Sequence, residues 1–376
     1  MRFFAKFIRG KIFAGLFALF SFGSIFYVSD RMGKFFLSIC GHSFRWAISG
    51  ILVILMGYML LYIRSKKKVK GTRRIYETCS VAMCFLLYLL LLLWVYDLWN
   101  LIFRINYDRY YSIPIIGSVV LTFYGFLHAK KLYLKEYDIP LKHLKGTKRV
   151  VLLSDIHVGT FVDIGQLKKI VAKVNQLKPD MVIIAGDLFD VEAFVYCNKK
   201  VIAQVLRQLK PKEGIFAVLG NHDPKSSEKE IRDFYKDAQI KLLVDDRAET
   251  EDFVLVGRDD VTTNPARMQL RDILKDTESE RSSENAKSRI VADHNPLGIK
   301  EAAENKVDLV LCGHTHKGQF FPANVFTKLA YGKQGYYGHY QDGCTQSVVS
   351  SGAGYFQMPM RIGSNSEIVV LNMKEK

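Results

Sequence analysis

The stretch GNHD, residues 220–223, places an amide oxygen and an imidazole next to each other directly after the apolar run IFAVL. Neither Asn221 nor His222 suits a hydrophobic core, and further carboxylates and imidazoles follow other apolar runs. Carboxylate, imidazole and amide groups together suit Mn, Fe, Zn or Co, whereas calcium and magnesium prefer sites with less nitrogen. The pattern therefore predicts that one site gathers Asp155, His157, Asp187, Asn221, His294, His314 and His316.

The histidines are concentrated at these positions, since five of the nine lie just after apolar runs, although such positions make up only a small part of the chain. Taken singly, each residue has an ordinary alternative: Asp155 or Asp187 could cap a helix, and an isolated histidine usually lies at the surface or in a satisfied core position. The joint pattern favours a shared site. The remaining histidines have no predicted metal role, although His339 lies in a Gly- and Tyr-rich stretch, residues 331–343, that could line a cleft.

The elements that must position these residues begin at Lys148, where short β-branched runs alternate with amphipathic segments. We expect helices at about 163–177, 192–209, 225–237 and 297–304. The expected strands are RVVLLSD, MVIIAGD, IFAVLGNHD, IKLLV, DFVLVG, RIVADH, VDLVLCGHTH, TQSVVSS and EIVVLN. Continuous apolar strands separated by helices predict an α/β domain whose sheets pack together inside helical layers. Ligands of such folds collect at the carboxyl ends of the strands, where the polar residues lie.

The first third of the chain contains four uncharged apolar segments, at about 12–28, 46–63, 78–96 and 112–129. Each is close to the roughly 20 residues needed to cross a bilayer as a helix. A signal peptide followed by core helices is the alternative. The first segment has basic flanks, but it lacks a clear small-residue cleavage site and three similar segments follow it. The pattern favours an N-terminal all-α transmembrane region of about four helices.

The charge distribution supports a membrane partner over a nucleic acid. Residues 1–145 hold 21 Lys and Arg against 6 Asp and Glu, whereas residues 146–376 hold 32 against 31. The excess lies between apolar runs, where it indicates membrane orientation, so no nucleic-acid partner is expected. The loop at residues 64–77 carries seven basic residues, and with four spans the positive-inside rule puts both termini and this loop in the cytoplasm. The six cysteines show no paired spacing of the kind found in zinc sites or disulfide frameworks, which favours the cytoplasm for the soluble part of the chain.

These observations predict three regions: a multi-span membrane domain at residues 1–130, a basic juxtamembrane connector at 131–147, and an α/β domain at 148–376. The connector contains Pro140 and either lies along the lipid headgroups or is an ordinary solvated linker. A polar low-complexity stretch, residues 276–288, is expected to form an exposed loop.

Five short blocks, SDIHVG, GDLFD, GNHD, ADHNP and GHTHKGQ, occur in this order between about residues 150 and 320. In sequence and order they resemble the motifs of the calcineurin-like metallophosphoesterases, and the tail to about residue 373 is also similar. The resemblance implies a layered α-β-β-α sandwich of mixed sheets. It also implies a metal-dependent hydrolase of phosphoric esters or pyrophosphates, and no departure within the blocks removes a ligand.

The resemblance also implies two divalent metal ions, with Mn expected first and Fe, Zn or Co as alternatives. One ion would be held by Asp155, His157, Asp187 and His316, and the other by Asp187, Asn221, His294 and His314. Asp187 would bridge the ions, which lower the pKa of a shared water until hydroxide forms near neutral pH and attacks phosphorus.

Two further residues complete the implied catalytic group. His222 would protonate the leaving oxygen, and Asp190 would fix its tautomer and raise its pKa. Asp223 could cap the next helix. Glycines precede three of the ligands, at Gly186, Gly220 and Gly313. Either the close approach of a metal leaves no room for a β-carbon there, or the glycines mark ordinary turns. Weaker candidates for substrate contacts are Lys317, Gln319 and Arg361.

The membrane segments suggest a substrate with an acyl tail. Membrane-bound bacterial members of this family include enzymes that cleave the pyrophosphate of UDP-diacylglucosamine on the cytoplasmic leaflet, and the chain resembles that branch. This implies a catalytic domain on the cytoplasmic side of a bacterial inner membrane. The alternatives are a tethered phosphodiesterase or phosphatase for soluble substrates, a non-catalytic metal-stabilised scaffold, and a transport unit. Intact Asn221 and His222 argue against the scaffold, and the scarcity of ionisable residues in the spans argues against transport.

Overall fold

The computed structural model of the chain describes the backbone of residues 2–64, 72–104, 108–190, 193–275 and 286–376. Side chains are described throughout these ranges except at residues 2–14, 17, 63 and 64. The chain divides into two compact units, Met1–Tyr124 and Gly125–Lys376.

The first unit is built from α1 (Arg2–Cys40), α2 (Arg45–Arg64), α3 (Arg73–Phe103), a 3₁₀ turn (Asp108–Tyr111) and most of α4 (Ser112–Ala129). Among the described residues, three segments are long and apolar enough to cross a membrane: Arg45–Tyr62, Arg73–Phe103 and Asp108–Ala129. They correspond to the second, third and fourth predicted spans, and the second ends at Tyr62, one residue before the predicted end. The first predicted span, about 12–28, lies in α1 but falls partly on side chains outside those described, so it stays a prediction.

Apolar side chains hold α1, α2 and α3 together in this unit. Val28, Leu52, Leu89 and Leu93 are buried in one cluster. Asp97, at the edge of a predicted span, accepts hydrogen bonds from the Tyr27 hydroxyl and from Arg31 Nε, both at 2.7 Å. Because this acid is paired within the unit, it offers no support to the transport alternative.

The second unit contains two six-stranded mixed sheets. The first has the order β1-β12-β2-β3-β4-β5 and the second the order β10-β11-β9-β8-β7-β6. The central strands run parallel, while β12 is antiparallel to β2, β10 to β11, and β6 to β7. The strands are β1 (Leu132–Leu141), β2 (Thr147–Leu153), β3 (Met181–Ala185), β4 (Ile215–Val218), β5 (Lys241–Leu242), β6 (Asp246–Glu249), β7 (Phe253–Gly257), β8 (Ser288–Ala292), β9 (Leu309–Cys312), β10 (Gly338–Asp342), β11 (Thr345–Val349) and β12 (Ser366–Glu375).

The two sheets pack face to face, and helices cover their outer faces. Leu152 and Ile183 of the first sheet share a buried cluster with Leu255 and Leu311 of the second. Separate clusters join the outer faces to helices. The helices are α5 (Ile164–Gln176), α6 (Ala193–Tyr196), α7 (Lys199–Leu206), α8 (Lys229–Asp237), α9 (Leu270–Leu274), α10 (Ile299–Glu304) and α11 (Ala323–Tyr336). The predicted fold, a helical N-terminal region followed by an α-β-β-α sandwich of mixed sheets, is confirmed.

The predicted connector does not lie outside this fold, because residues 132–141 form β1. The strand pairs in parallel with β12, from Leu132 opposite Ser366 to Leu141 opposite Glu375. Ile139 and Leu141 enter the core between the sheets. The edge position explains why Pro140 is tolerated, since proline cannot donate a hydrogen bond to a second neighbouring strand.

The ends of two helices are fixed by local side chains. Asp163 accepts a hydrogen bond from the Gln166 backbone and caps α5, at the boundary expected from the sequence. The single helix expected at about 192–209 is instead α6 and α7, because Asn198 caps a new helix by accepting from the Lys200 backbone. Most of the expected polar loop, residues 276–285, lies outside the described residues.

Candidate metal centre

The seven predicted ligands lie in the loops that follow five strands. Asp155 and His157 follow β2, Asp187 follows β3, and Asn221 follows β4, all in the first sheet. From the second sheet, the loop after β8 carries His294 and the loop after β9 carries His314 and His316. Because the parallel strands end at one edge of the packed sheets, their loops meet there.

Five of these residues have a left-handed backbone, with φ between 49° and 71°: Asp155, His157, Asp187, His314 and His316. This conformation costs about 1–2 kcal/mol for an ordinary L-residue and is concentrated at functional sites. Backbone hydrogen bonds between loops hold it in place, from the Asp155 N–H to Gly186 and from the His157 N–H to Asp187, both at 3.0 Å. The loops therefore bend sharply enough to turn successive side chains toward one point.

The first predicted group of ligands is compact and buried. The Nε2 atoms of His157 and His316 lie 3.1 Å apart. His316 Nε2 is 3.3 Å from Asp155 Oδ1, and His157 Nε2 is 3.6 Å from Asp187 Oδ2. All four side chains are at most 4% exposed. Nitrogen and oxygen lone pairs thus converge on one small volume, as ligands of a cation do.

The second predicted group shares Asp187 with the first. Asp187 Oδ2 lies 3.2 Å from His294 Nε2, which is 3.2 Å from Asn221 Oδ1. The amide oxygen of Asn221 is in turn 2.8 Å from His314 Nδ1. His294 Nδ1 faces the Ala185 carbonyl at 2.9 Å, so this nitrogen carries the hydrogen and leaves the Nε2 lone pair for a ligand. The donor set fits a pair of borderline metal ions.

Electrostatics differ among the imidazoles of the centre: burial lowers the pKa of His157, His314 and His316, whereas at His294 burial is outweighed by the Asp187 carboxylate, which raises the pKa. Burial lowers the pKa of both His157 and His314 to about 4, so they are unprotonated at neutral pH, as metal ligands must be. Burial raises the pKa of Asp155 to about 6, with the charge of Asp187 adding to the effect. Burial also opposes ionisation of Asp187, but the nearby imidazoles, His294 first, outweigh it and hold the pKa well below its usual range. Carboxylates packed this closely attract a cation.

His222 stands beside these groups, at a cavity of about 410 Å³ that Asp187, Asn221 and His314 also line. Its backbone N–H donates to Asp187 Oδ1 at 2.8 Å, and its Nδ1 lies 3.8 Å from Asp190 Oδ1, beyond direct hydrogen-bond length. Burial lowers the pKa of His222, but the Asp190 and Asp187 carboxylates outweigh that effect and leave it raised. A raised pKa increases the protonated fraction, which a proton donor needs.

Asp223 does not cap a helix, because α8 begins at Lys229 with Glu228 before it. It is buried and accepts hydrogen bonds from the backbones of Phe189 and Gly220, at 2.9 and 2.8 Å. Asp223 therefore ties the GNHD loop to the GDLFD loop.

The glycines that precede ligands are required by close approach. A Cβ on Gly220 would lie 2.2 Å from Asp187 Oδ1, and one on Gly313 would lie 2.3 Å from Asp155 Oδ2. Either methyl group would push a carboxylate out of the site. These two positions exclude a side chain because the ligand carboxylates occupy the space.

The three weaker candidates for substrate contacts, Lys317, Gln319 and Arg361, all have partners within the protein. Arg361 is fully buried and donates to the carbonyls of Ser351 and Gly354, both at 2.6 Å, so it supports the backbone near His316. Gln319 lines the cavity, but its amide donates to the carbonyls of Phe356 and Met358. The Lys317 ammonium lies over the Tyr337 ring.

Two residues of the centre were not found from the sequence. The Tyr331 hydroxyl lies 2.8 Å from His314 Nε2, and the Phe356 ring stacks on His157 with centroids 5.1 Å apart. Tyr331 lies in the Gly- and Tyr-rich stretch at residues 331–343, in which the sequence indicated His339 as the cleft-lining residue. His339 faces Gln346 at 3.1 Å and does not line the cavity.

Two packed mixed sheets with carboxylate, imidazole and amide side chains at their carboxyl ends define the class of dinuclear metallohydrolases. Residues 148–318 match the family model of the calcineurin-like phosphoesterases. An uncharacterized metallophosphoesterase of Campylobacter jejuni is 33% identical over 74% of this chain and 72% of its own. A transmembrane protein with metallophosphoesterase domain of Danio rerio is 33% identical over 70% of this chain and 62% of its own. Among solved structures, the match to Haemophilus influenzae NAD nucleotidase includes 56% of this chain and 45% of the nucleotidase chain, with 16% sequence identity and a TM-score of 0.40.

The chain belongs to the calcineurin-like metallophosphoesterase family. It is a metal-dependent phosphoester hydrolase of a family that uses two metal ions, and its apolar helices associate it with a membrane. The structure brings the predicted ligands together, and buried clusters able to hold an ion include Asp155 with His157 and His316. The role of each individual residue stays a prediction.

Proposed function

We propose that this enzyme hydrolyses a phosphoester or pyrophosphate bond of a lipid-linked substrate, such as UDP-diacylglucosamine, at the cytoplasmic leaflet of a bacterial inner membrane. The cavity beside the metal centre is the observation that carries the proposal. Asp187, Asn221 and His222 line one part of it, whereas apolar groups of Phe320 and Met358 line another. Such a cleft suits a ligand that has both an anionic phosphate and an apolar portion.

For the metal centre, we propose that Asp155, His157, Asp187 and His316 hold one ion and that Asp187, Asn221, His294 and His314 hold the other. Manganese is the ion that we expect first from the family resemblance, and Fe, Zn and Co are alternatives that suit the same carboxylate, amide and imidazole ligands. When bound, the two ions supply Lewis-acid polarisation of the phosphorus oxygens and lower the pKa of water.

His222 is the proposed proton donor to the leaving oxygen. Its imidazole lines the cavity, and its backbone hydrogen bond to Asp187 fixes its position relative to the centre. Asp190 acts through His222 as a positioning residue, since its carboxylate lies on the Nδ1 side of the ring and leaves Nε2 to face a substrate. The buried position of Asp187 excludes water from the carboxylate and strengthens its attraction for cations.

The proposed domains are a membrane domain at residues 1–130 and a catalytic domain at 148–376, to which β1 contributes the edge strand. With four spans, the basic loop at residues 64–77 and both termini lie in the cytoplasm. Cys344 is exposed and can report the orientation. A membrane-impermeant maleimide should label Cys344 only after cells are permeabilised, with Cys344→Ser as the background. Cys40 is also exposed and lies on the outer side in this topology, so the labelled protein also carries Cys40→Ser. Labelling of Cys344 in intact cells would contradict the orientation.

The substrate is tested with the full-length protein in detergent, loaded with Mn and incubated with a bacterial lipid extract. Release of a nucleoside monophosphate, followed by mass spectrometry, is the expected result, and Asp187→Asn serves as the inactive control. If the wild type consumes only water-soluble esters, the tethered soluble-substrate phosphodiesterase replaces the present proposal. If it hydrolyses no ester, including a generic aryl phosphodiester, the scaffold alternative gains support.

A further inference from the structure

Helix α11 has one face in the catalytic cleft and a second face that is apolar and exposed. Ala323, Thr327 and Tyr331 follow each other at intervals of four residues, and all three line the cavity. On another side of the helix, Val325, Phe326 and Leu329 are 48%, 66% and 77% exposed. The helix therefore forms a wall of the active site while its apolar side chains remain uncovered by the unit.

The exposed apolar side chains of the second unit are concentrated on this segment, whereas the surface of a soluble protein usually carries them singly and scattered. After residue 130, seven large apolar side chains are exposed among the described residues, and four of them lie within residues 321–329. Val325 and Leu329 are neighbours at a spacing of four, and Phe326 and Leu329 at a spacing of three. Phe321, 48% exposed, directly precedes the helix cap. A surface helix of a soluble domain normally presents polar groups to water, so this face requires an apolar environment.

The charge and composition of the segment indicate what that environment is. Residues 317–341 contain three lysines and no Asp or Glu, together with seven aromatic residues. Lys328 and Lys333 are exposed on α11 itself. Basic side chains beside an apolar, aromatic-rich helix face are typical of helices that lie in the interface of a bilayer containing anionic lipids. A protein partner of ordinary composition would leave the one-sided positive charge unexplained.

We propose that α11, together with Phe321, inserts its apolar face into the interfacial layer of an anionic phospholipid bilayer. The chain itself brings a bilayer to this unit, because three of its segments can cross a membrane and β1 begins only three residues after α4 ends. Since the cavity-lining face belongs to the same helix, contact with lipid sets the environment at the mouth of the catalytic cleft. The inference does not rest on which substrate is hydrolysed.

The test uses the full-length protein in nanodiscs of phosphatidylethanolamine and phosphatidylglycerol that contain a phosphatidylcholine with a diazirine on its acyl chain. After irradiation and digestion, mass spectrometry should find lipid adducts on residues 321–329 as well as on the spans. The exposed Met268, on another part of the unit, should carry none. Adducts restricted to the spans would overturn the proposal.

A variant with Phe326→Glu and Leu329→Glu should lose the adducts on residues 321–329, while Met268→Glu, a matched exposed site, should keep them. Retained adducts on the spans and an unchanged unfolding temperature establish that the double variant is folded. Labelling of α11 that persists in the folded double variant would contradict insertion. Lysine cross-links between α11 helices of two protein copies, in place of lipid adducts, would identify a second copy as the occupant and also overturn the proposal. Because adducts form without turnover, failure of lipid hydrolysis is a separate result.

Discussion

The Nε2 atoms of His157 and His316 lie 3.1 Å apart in a buried pocket, and each also faces a carboxylate. Burial lowers the pKa of both rings, that of His157 to about 4, so neither carries positive charge at neutral pH. In the tautomers that bind a metal, both Nε2 atoms present lone pairs, and these and the two carboxylates repel one another unless a cation lies between them. Stability of the second unit should therefore depend on bound metal.

We expect Mn to raise the unfolding temperature of the chelator-stripped full-length protein. At 100 times the dissociation constant, one bound ion adds about 2.7 kcal/mol to the free energy of unfolding. Differential scanning fluorimetry in detergent measures the change. In Asp187→Asn, which removes the carboxylate shared by the two groups, the response to Mn should be much smaller, and metal analysis should find less than the two ions per chain expected for the wild type. An equal response in both proteins would show that the ions bind elsewhere.

The effect of substituting His222 should depend on whether the leaving group of the substrate needs a proton. In His222→Ala, turnover of an alkyl phosphodiester should fall by about 10²–10⁴-fold, the usual contribution of a general acid. Turnover of a p-nitrophenyl diester should fall much less, because this leaving group departs without a proton. Metal content should not change, since His222 belongs to neither ligand group. An equal loss with both esters would contradict proton donation and point to a role in binding.

The metal-centre residues were predictable because they follow apolar strands in short, recognisable blocks. Asp155 and Asp187 each stand directly after such a run, and parallel strands carry their ends to one edge. The start of α5 was also predictable, because Asp163 accepts a hydrogen bond from the backbone N–H of Gln166, only three residues away. In each case the signal and its structural consequence are local in the chain.

Features that depend on distant pairing were not predictable. Strand β1 is ten residues long, but it is charged and contains Pro140, and it forms only because β12, more than 200 residues later, offers an edge. Tyr331 reaches His314 because of the way α11 packs, which no spacing in the sequence reveals. The left-handed backbone at Asp155 and His157 likewise follows from hydrogen bonds to the loop after β3.

Tyr331 should increase the affinity of the metal site that contains His314. Its hydroxyl lies 2.8 Å from His314 Nε2 and fixes the ring so that Nδ1 faces Asn221. We expect Tyr331→Phe to weaken binding of one ion by about 10–100-fold, as loss of a partner to a ligand histidine does, while the other ion binds as before. Titration of the stripped protein with Mn, followed by electron paramagnetic resonance, measures both affinities. Tyr340→Phe, which removes a hydroxyl from a tyrosine that does not line the cavity, should leave both unchanged.

The Asp180 carboxylate should contribute to the free energy of unfolding at neutral pH, and this contribution should disappear in acid. Its carboxylate accepts hydrogen bonds from the Arg149 backbone and from Lys212 Nζ, both at 2.7 Å, and thereby joins the starts of β2 and β3. Burial opposes ionisation of Asp180, but these two donors outweigh it and lower its pKa. Asp180→Asn should cost about 1–2 kcal/mol at neutral pH, because a charged acceptor is lost.

Because the pKa of Asp180 is depressed in the folded state, its contribution is complete above the unfolded value of about 3.9 and is lost as the pH falls through the folded value. The difference in unfolding temperature between the wild type and Asp180→Asn should therefore be constant near neutral pH and should shrink toward zero in acid. Asp138→Asn is the matched control, since Asp138 is 68% exposed and its pair with Lys374, at 3.6 Å, contributes little at any pH. A difference for Asp180→Asn that stays constant into strong acid would show that the carboxylate charge does not stabilise this sheet.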